Sequence, residues 1–129
     1  MAAREACKQV LAELSADKLA VHFSVPVDTS VLTDYLAVVA SPIDLQTIGT
    51  RLADARGEYA DERAGAGAAR FLRDVRRMFD NAQRYCKERH AHVYKDAVTL
   101  EKRFEKKPES LRVREERRDD LEKLKEQLR

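Results

Sequence analysis

Residues that staple or interrupt a chain are scarce here: in 129 residues there is no tryptophan, and there are only two cysteines, three prolines and four glycines. Cys7 and Cys86 stand far apart, with neither a CxxC partner nor a secretory leader beside them. This argues against a disulfide framework and leads us to expect a reducing intracellular compartment. The opening Met1-Ala2-Ala3-Arg4-Glu5-Ala6 is helix-like and lacks the apolar core of a signal peptide. No stretch approaches the roughly 20 apolar residues that span a bilayer, so a soluble protein without membrane contact is expected. Hairpin turn chemistry and internal repeats are also missing, which argues against sheets and solenoids. Net charge is nearly absent, with 25 Lys and Arg against 23 Asp and Glu, so overall charge makes no demand for nucleic acid.

What is present is a helical pattern. Hydrophobic residues make up 43% of the chain and charged residues 37%, a composition that suits one packed core surrounded by salt-bridged outer faces. Cys7, Val10, Leu11 and Leu14 fall on one face of a first helix, and the pattern lapses near Ser15 to Lys18. Leu45, Ile48 and Leu52 mark a second helix, with Ser41 as its N-cap, Pro42 at its first position, Asp44 facing the helix dipole and Gly57 as a stop. Tyr59 to Ala69, with Gly65 and Gly67, reads as a connection into the third helix. There Phe71, Val75, Met78, Ala82 and Tyr85 step by four and three, with Leu72, Phe79 and Cys86 alongside. A polar break from Lys87 to His92 precedes a fourth helix through Val93, Ala97, Leu100 and Phe104.

Between the first two helices, Leu19 to Ala40 is apolar without clean periodicity and contains Pro26. It is expected to be a long packed loop with a short helical turn around Asp34 to Val39. Irregular connections longer than about 12–15 residues are uncommon and usually functional, so this loop is the first place to look for a binding site.

The residues in this order resemble a bromodomain. Phe23-Ser24-Val25-Pro26-Val27-Asp28 is similar to the family's Phe-x-x-Pro-Val-Asp loop start. Asp34-Tyr35, Ser41-Pro42-Ile43-Asp44-Leu45-Gln46-Thr47-Ile48, Arg51-Leu52 and Tyr59 follow at matching places. Phe71-Leu72-Arg73-Asp74-Val75-Arg76-Arg77-Met78-Phe79-Asp80-Asn81-Ala82 resembles Phe-x-x-Asp-Val-x-x-Met-Phe-x-Asn-Cys, and Leu100 to Phe104 resembles the last helix. The resemblance covers about Cys7 to Lys106. It implies an all-α, left-handed up-and-down four-helix bundle in residues 1–107. After Pro108 the composition turns to almost uninterrupted charge, which reads as a helical C-terminal extension or linker in 108–129 whose late stripe is Leu121, Leu124 and Leu128.

The resemblance also implies a function, the burial of an acetylated lysine in a deep pocket. Acetylation removes the charge, so the side chain enters without ion desolvation provided its carbonyl finds a donor. By position, Phe23, Val27 and Leu32 are implied as pocket walls and Tyr35 as holder of a water that bridges to the acetyl oxygen. Val93 is implied as gatekeeper, with His92 as the alternative, and Asn81 as the residue that ties down the loop. The family's acetyl-binding asparagine is replaced by Cys86, directly after Tyr85, and a thiol is only a weak donor. Val21-His22 stands where an aromatic-proline pair is usual, which reduces the rim. The loop before the third helix is longer, and the one after Cys86 holds an extra residue.

Two roles remain open for Cys86, a small core cysteine or a pocket-lining one. Cys86, His90 and His92 are close in sequence but have no fourth ligand or orienting acid, so no metal, cofactor or catalysis is expected. His22, beside the pocket, is a place for pH sensitivity. Arg70, Arg73, Arg76, Arg77, Arg84, Lys87 and Arg89 read first as a solvated helix face, with weak nucleic-acid contact as a minor addition. The expected partners are an acetylated histone tail or other acetylated protein and other chromatin-complex subunits, in the nucleus. The alternative is a pseudo-bromodomain that serves as an interaction scaffold without binding acetyl-lysine.

Overall fold

Each helix forms where apolar residues recur on one face, and each buries that face against the others. The computed structural model describes residues 2–61, 63–106 and 125–127. Its elements are α1 (Ala2–Ala16), a 3-10 turn (Lys18–Phe23), the short α2 (Tyr35–Val38), α3 (Leu45–Ala53), a second 3-10 turn (Arg63–Gly65), α4 (Ala66–Cys86) and α5 (Ala91–Lys106). No strand occurs among the described residues. The long helices α1, α3, α4 and α5 form the expected all-α bundle, with α4 packed against the other three. Apart from residues 125–127, the expected extension with Leu121, Leu124 and Leu128 lies outside the described residues.

The core is where the periodicity puts it. Leu14, Ile48, Phe71, Val75, Phe79, Leu100 and Phe104 are fully buried, each such side chain contributing about 1.5–3 kcal/mol of apolar burial. The Phe23, Phe79 and Phe104 rings form a chain through the centre, with centroids 6.1 and 5.8 Å apart. Asp74 on α4 is fully buried despite its charge. Its carboxylate accepts from Arg51 at 3.0 Å, from Arg77 at 2.9 Å and from the Tyr59 hydroxyl, so three donors offset its desolvation.

Element boundaries differ from the sequence expectation in five places, one of them the start of α4 at Ala66, inside the expected connection from Tyr59 to Ala69. The stretch expected as loop from Leu19 begins instead as the 3-10 turn Lys18–Phe23, started by Asp17, whose carboxylate accepts from the Leu19 amide at 3.0 Å. Helix α3 starts at Leu45, with Asp44 as its cap in place of Ser41. Asp44 is extended there and accepts from the Thr47 amide at 3.0 Å and the Thr47 hydroxyl at 2.6 Å, while the Ser41 carbonyl accepts from Asn81 Nδ2 at 2.8 Å. The same helix ends at Ala53, before Gly57: Asp54 turns extended, and Arg4 of α1 satisfies the terminal carbonyls of Leu52 and Ala53 at 3.0 and 3.2 Å. Finally, α5 begins at Ala91, so His92 is helical rather than part of the polar break.

Gly67 explains the close packing of the connection before α4. A Cβ at this position would lie 2.1 Å from the Tyr59 carbonyl oxygen, so only glycine lets the segment cross there. Gly65, at φ 68°, makes the left-handed turn into the helix.

Candidate functional site

The long loop, the C-terminal end of α4 and the start of α5 meet at one end of the bundle. A cavity of about 280 Å³ opens between them. Its loop wall is His22, Phe23, Val25, Val27, Leu32 and Tyr35, its floor Ile43, Asp44, Met78 and Ala82, and its far wall Tyr85, Cys86, His90 and Val93. The lining is mostly apolar, with few polar groups, as expected of a site that buries a largely neutral ligand. Tyr35, Val39, Tyr85 and Cys86 form a small buried cluster of their own, backed by Val27, Leu32 and Val93, next to the main core.

The cavity is held by specific polar contacts. Asn81 anchors the far end of the loop through the Ser41 carbonyl, the tying role its position implied. Tyr85 donates its hydroxyl to Asp34 at 2.5 Å, Arg89 donates to the same carboxylate at 3.3 Å, and the Arg89 guanidinium stacks 4.7 Å over the Tyr85 ring. The hydrogen bond from Tyr85, followed by the Arg89 charge, holds the Asp34 carboxyl below its ordinary range, and the same bond raises the Tyr85 phenol. Across the cavity the Tyr35 and Tyr85 rings meet edge to face at 4.8 Å.

Tyr35 and Cys86 both line the cavity. Burial raises the Tyr35 phenol, with the nearby Cys86 adding to the shift, and among the described residues no protein group hydrogen-bonds its hydroxyl. Burial also raises the Cys86 thiol, with Arg89 opposing it weakly. Cys86 is therefore a protonated thiol at neutral pH, able to donate a weak S–H hydrogen bond and poor as a nucleophile. The residue is 8% exposed and lines the cavity, so it packs as a buried cysteine and faces the pocket at once.

Among the expected positions, Phe23, Val27, Leu32, Tyr35, Tyr85, Cys86 and Val93 are brought together on this cavity, and His22 joins them. Val21 is 70% exposed and outside the lining. His92 also lies outside it and turns toward Asp96, 3.4 Å away. Sequence reasoning missed Val25, Ile43, Asp44, Met78, Ala82 and His90. Met78 and Ala82 carried a usable signal, since they precede Cys86 at helical spacing; the others depend on how the loops fold back. The basic face of α4 is engaged with carboxylates: Arg73 with Glu58 and Asp74, Arg76 with Glu105, Arg77 with Asp74, and Arg84 with Asp80. That is the solvated, salt-bridged face of a helix.

The chain is thus a helical bundle with a loop-walled, mostly apolar cavity at one end. The Bromodomain family model matches residues 7–99. The chain is 32% identical over 99 residues to a nucleosome-remodeling factor subunit NURF301-like protein of Caenorhabditis elegans, and 31% identical over 101 residues to bromodomain adjacent to zinc finger domain protein 2B of Gallus gallus. Those matches take in 77% and 78% of this chain. It is also 31% identical over 93 residues, 72% of its length, to histone acetyltransferase GCN5 of Debaryomyces hansenii. The chain spans 4%, 4% and 18% of these relatives. Among solved structures, the second bromodomain of Candida albicans Bdf1, bound to an imidazopyridine, matches with a TM-score of 0.68 and 32% identity, covering 83% of this chain and 97% of that one. The chain belongs to the bromodomain family.

Proposed function

We propose that this domain binds acetylated lysine, on a histone tail or another acetylated protein, in the cavity between Phe23 to Tyr35 and Tyr85 to Val93, with Cys86 giving it weak or altered preference. The single observation that carries this reading is the convergence of a Tyr35 hydroxyl, without a hydrogen-bond partner among the described residues, and a protonated Cys86 thiol on one apolar cavity of about 280 Å³. A neutral acetyl-lysine satisfies such a site: its methylenes and methyl group contact Phe23, Val27 and Val93, and its carbonyl takes the Cys86 S–H and a water held by Tyr35. The site binds and performs no bond-making chemistry.

The relatives' names place them in nucleosome remodelling and histone acetylation. They support a nuclear, chromatin-associated setting in which neighbouring subunits are further partners. The carboxylate pairing of the α4 arginines leaves little free charge for phosphates, so nucleic-acid contact is minor in this reading.

The test is a calorimetric titration with a panel of acetylated peptides. Saturable binding that is lost in Val27→Ala and Tyr35→Phe is expected. Cys86→Asn, which restores a firm amide donor, should tighten binding by roughly one to two decades, the equivalent of about 1–3 kcal/mol for one buried hydrogen bond. No binding by either the native chain or Cys86→Asn across the panel would overturn the proposal in favour of an interaction scaffold.

A further inference from the structure

Because α5 begins at Ala91, His92 and Asp96 stand one turn apart on the same helix face. The 3-10 turn Lys18–Phe23 brings His22 to them across a separation of 74 residues. His22 Nε2 lies 2.9 Å and His92 Nε2 3.4 Å from the same oxygen, Asp96 Oδ2. The two imidazoles are nearly perpendicular, at 85° with centroids 5.9 Å apart, and the three ligand atoms lie within 4.8 Å of one another. Asp96 and His22 are largely covered, with side chains 17% and 25% exposed, whereas His92 is 84% exposed.

We propose that His22, His92 and Asp96 form a three-ligand site for a divalent transition metal of the zinc class, with the fourth position open to water. Zinc holds histidine nitrogens and carboxylate oxygens at about 2.0–2.2 Å in a tetrahedron, which sets neighbouring ligand atoms about 3.3 Å apart. The two nitrogen-to-oxygen separations fall on either side of that value. The His22 and His92 nitrogens lie within 4.8 Å of each other, so metal binding requires them to draw closer, and His92 is the exposed partner. Two imidazoles and one carboxylate are a borderline-soft set, which favours zinc, nickel or copper over calcium or magnesium. Neither Cys86 nor His90 belongs to the cluster.

A metal here would act on the cavity from outside. His22 and Phe23 form part of one cavity wall and Val93 part of the other, so a metal held jointly by His22, His92 and Asp96 clamps the 3-10 turn to α5. The site stands on its own geometry and does not depend on what the cavity binds.

Titration of the full chain with zinc chloride, followed by calorimetry and by the imidazole proton resonances, tests the proposal. One zinc per chain is expected, with the His22 and His92 resonances shifting and the His90 resonances left in place. His92→Ala, at an exposed position that leaves the core intact, and Asp96→Asn should each weaken zinc by at least about tenfold, and calcium should not compete. Zinc should raise the unfolding temperature of the native chain but not that of His92→Ala. The proposal fails if no stoichiometric zinc binds, if zinc binds equally well to both variants, or if Cys86→Ser removes the binding while His22 and His92 stay unperturbed.

Discussion

The Tyr85 hydroxyl donates to the Asp34 carboxylate at 2.5 Å, joining the last turn of α4 to the loop 51 residues earlier in the chain. With Arg89 stacked on the same ring and donating to the same carboxylate, this contact fixes the distance between the cavity's two walls.

Removing that tie should loosen the loop without unfolding the bundle. In Tyr85→Phe, amide exchange across residues 26–40 should quicken while that of α1 and α5 is unchanged, as read by exchange mass spectrometry. The tie also depends on pH. Because the Asp34 carboxyl is lowered in the fold from its ordinary value of 3.8, its contribution is fully present above that value and disappears as pH falls through the lower, folded value. Because the Tyr85 phenol is raised above 10.0, its contribution is present below that value and disappears as pH rises through the higher, folded one. Exchange in the loop should therefore be slowest, after correction for intrinsic rates, between those limits. Equal protection in the native chain and in Tyr85→Phe would remove Tyr85 from this role.

Cys86 should alkylate slowly. Its thiol is raised above 9.0 by burial, so little thiolate is present near neutral pH. Iodoacetamide labelling followed by peptide mapping should give a Cys86 rate well below that of a free thiol at pH 7, climbing only as pH passes 9. An acetylated peptide that fills the cavity should suppress it further. Rapid labelling at pH 7 would contradict the buried, protonated thiol described here.

Asp74 should be the most costly single charge to remove. Asp74→Ala strands the Tyr59 hydroxyl and leaves Arg51 and Arg77 without their buried acceptor. Breaking a buried pair costs about 3–5 kcal/mol, and the low end applies because Arg51 and Arg77 reach solvent, with side chains 36% and 32% exposed. Thermal unfolding should shift down by roughly 10 °C or more. A shift of only a degree or two would mean that the network is replaceable by water.

Much of the architecture was legible because apolar spacing is a local property. Phe71, Val75 and Phe79 had to share a helix face whatever else the chain did, and they form the centre of the core. The caps were less legible. Ser41 and Asp44 are both good cap residues, and the choice between them was made by Asn81, which lies 40 residues away and holds the Ser41 carbonyl. The cavity positions read from motif order meet at one place, but Cys86 kept two roles until its side chain was seen to be both packed and pocket-facing. Asp96 was passed over because its meaning depends on His22, which local spacing cannot bring near it.

By itself, the spacing of apolar residues determined four helices and a long connection beside them, and the motifs in residues 23–28, 34–48 and 71–82 carried the resemblance to the family, since each rests on residues within a segment. Tertiary structure alone decided which polar atoms face one another: Tyr85 with Asp34, Asp74 with its three donors, and His22 with Asp96 and His92. Hydrogen bonds and metal coordination depend on tenths of an ångström between distant segments, and those distances are set by how the loops and turns carry the chain over the core.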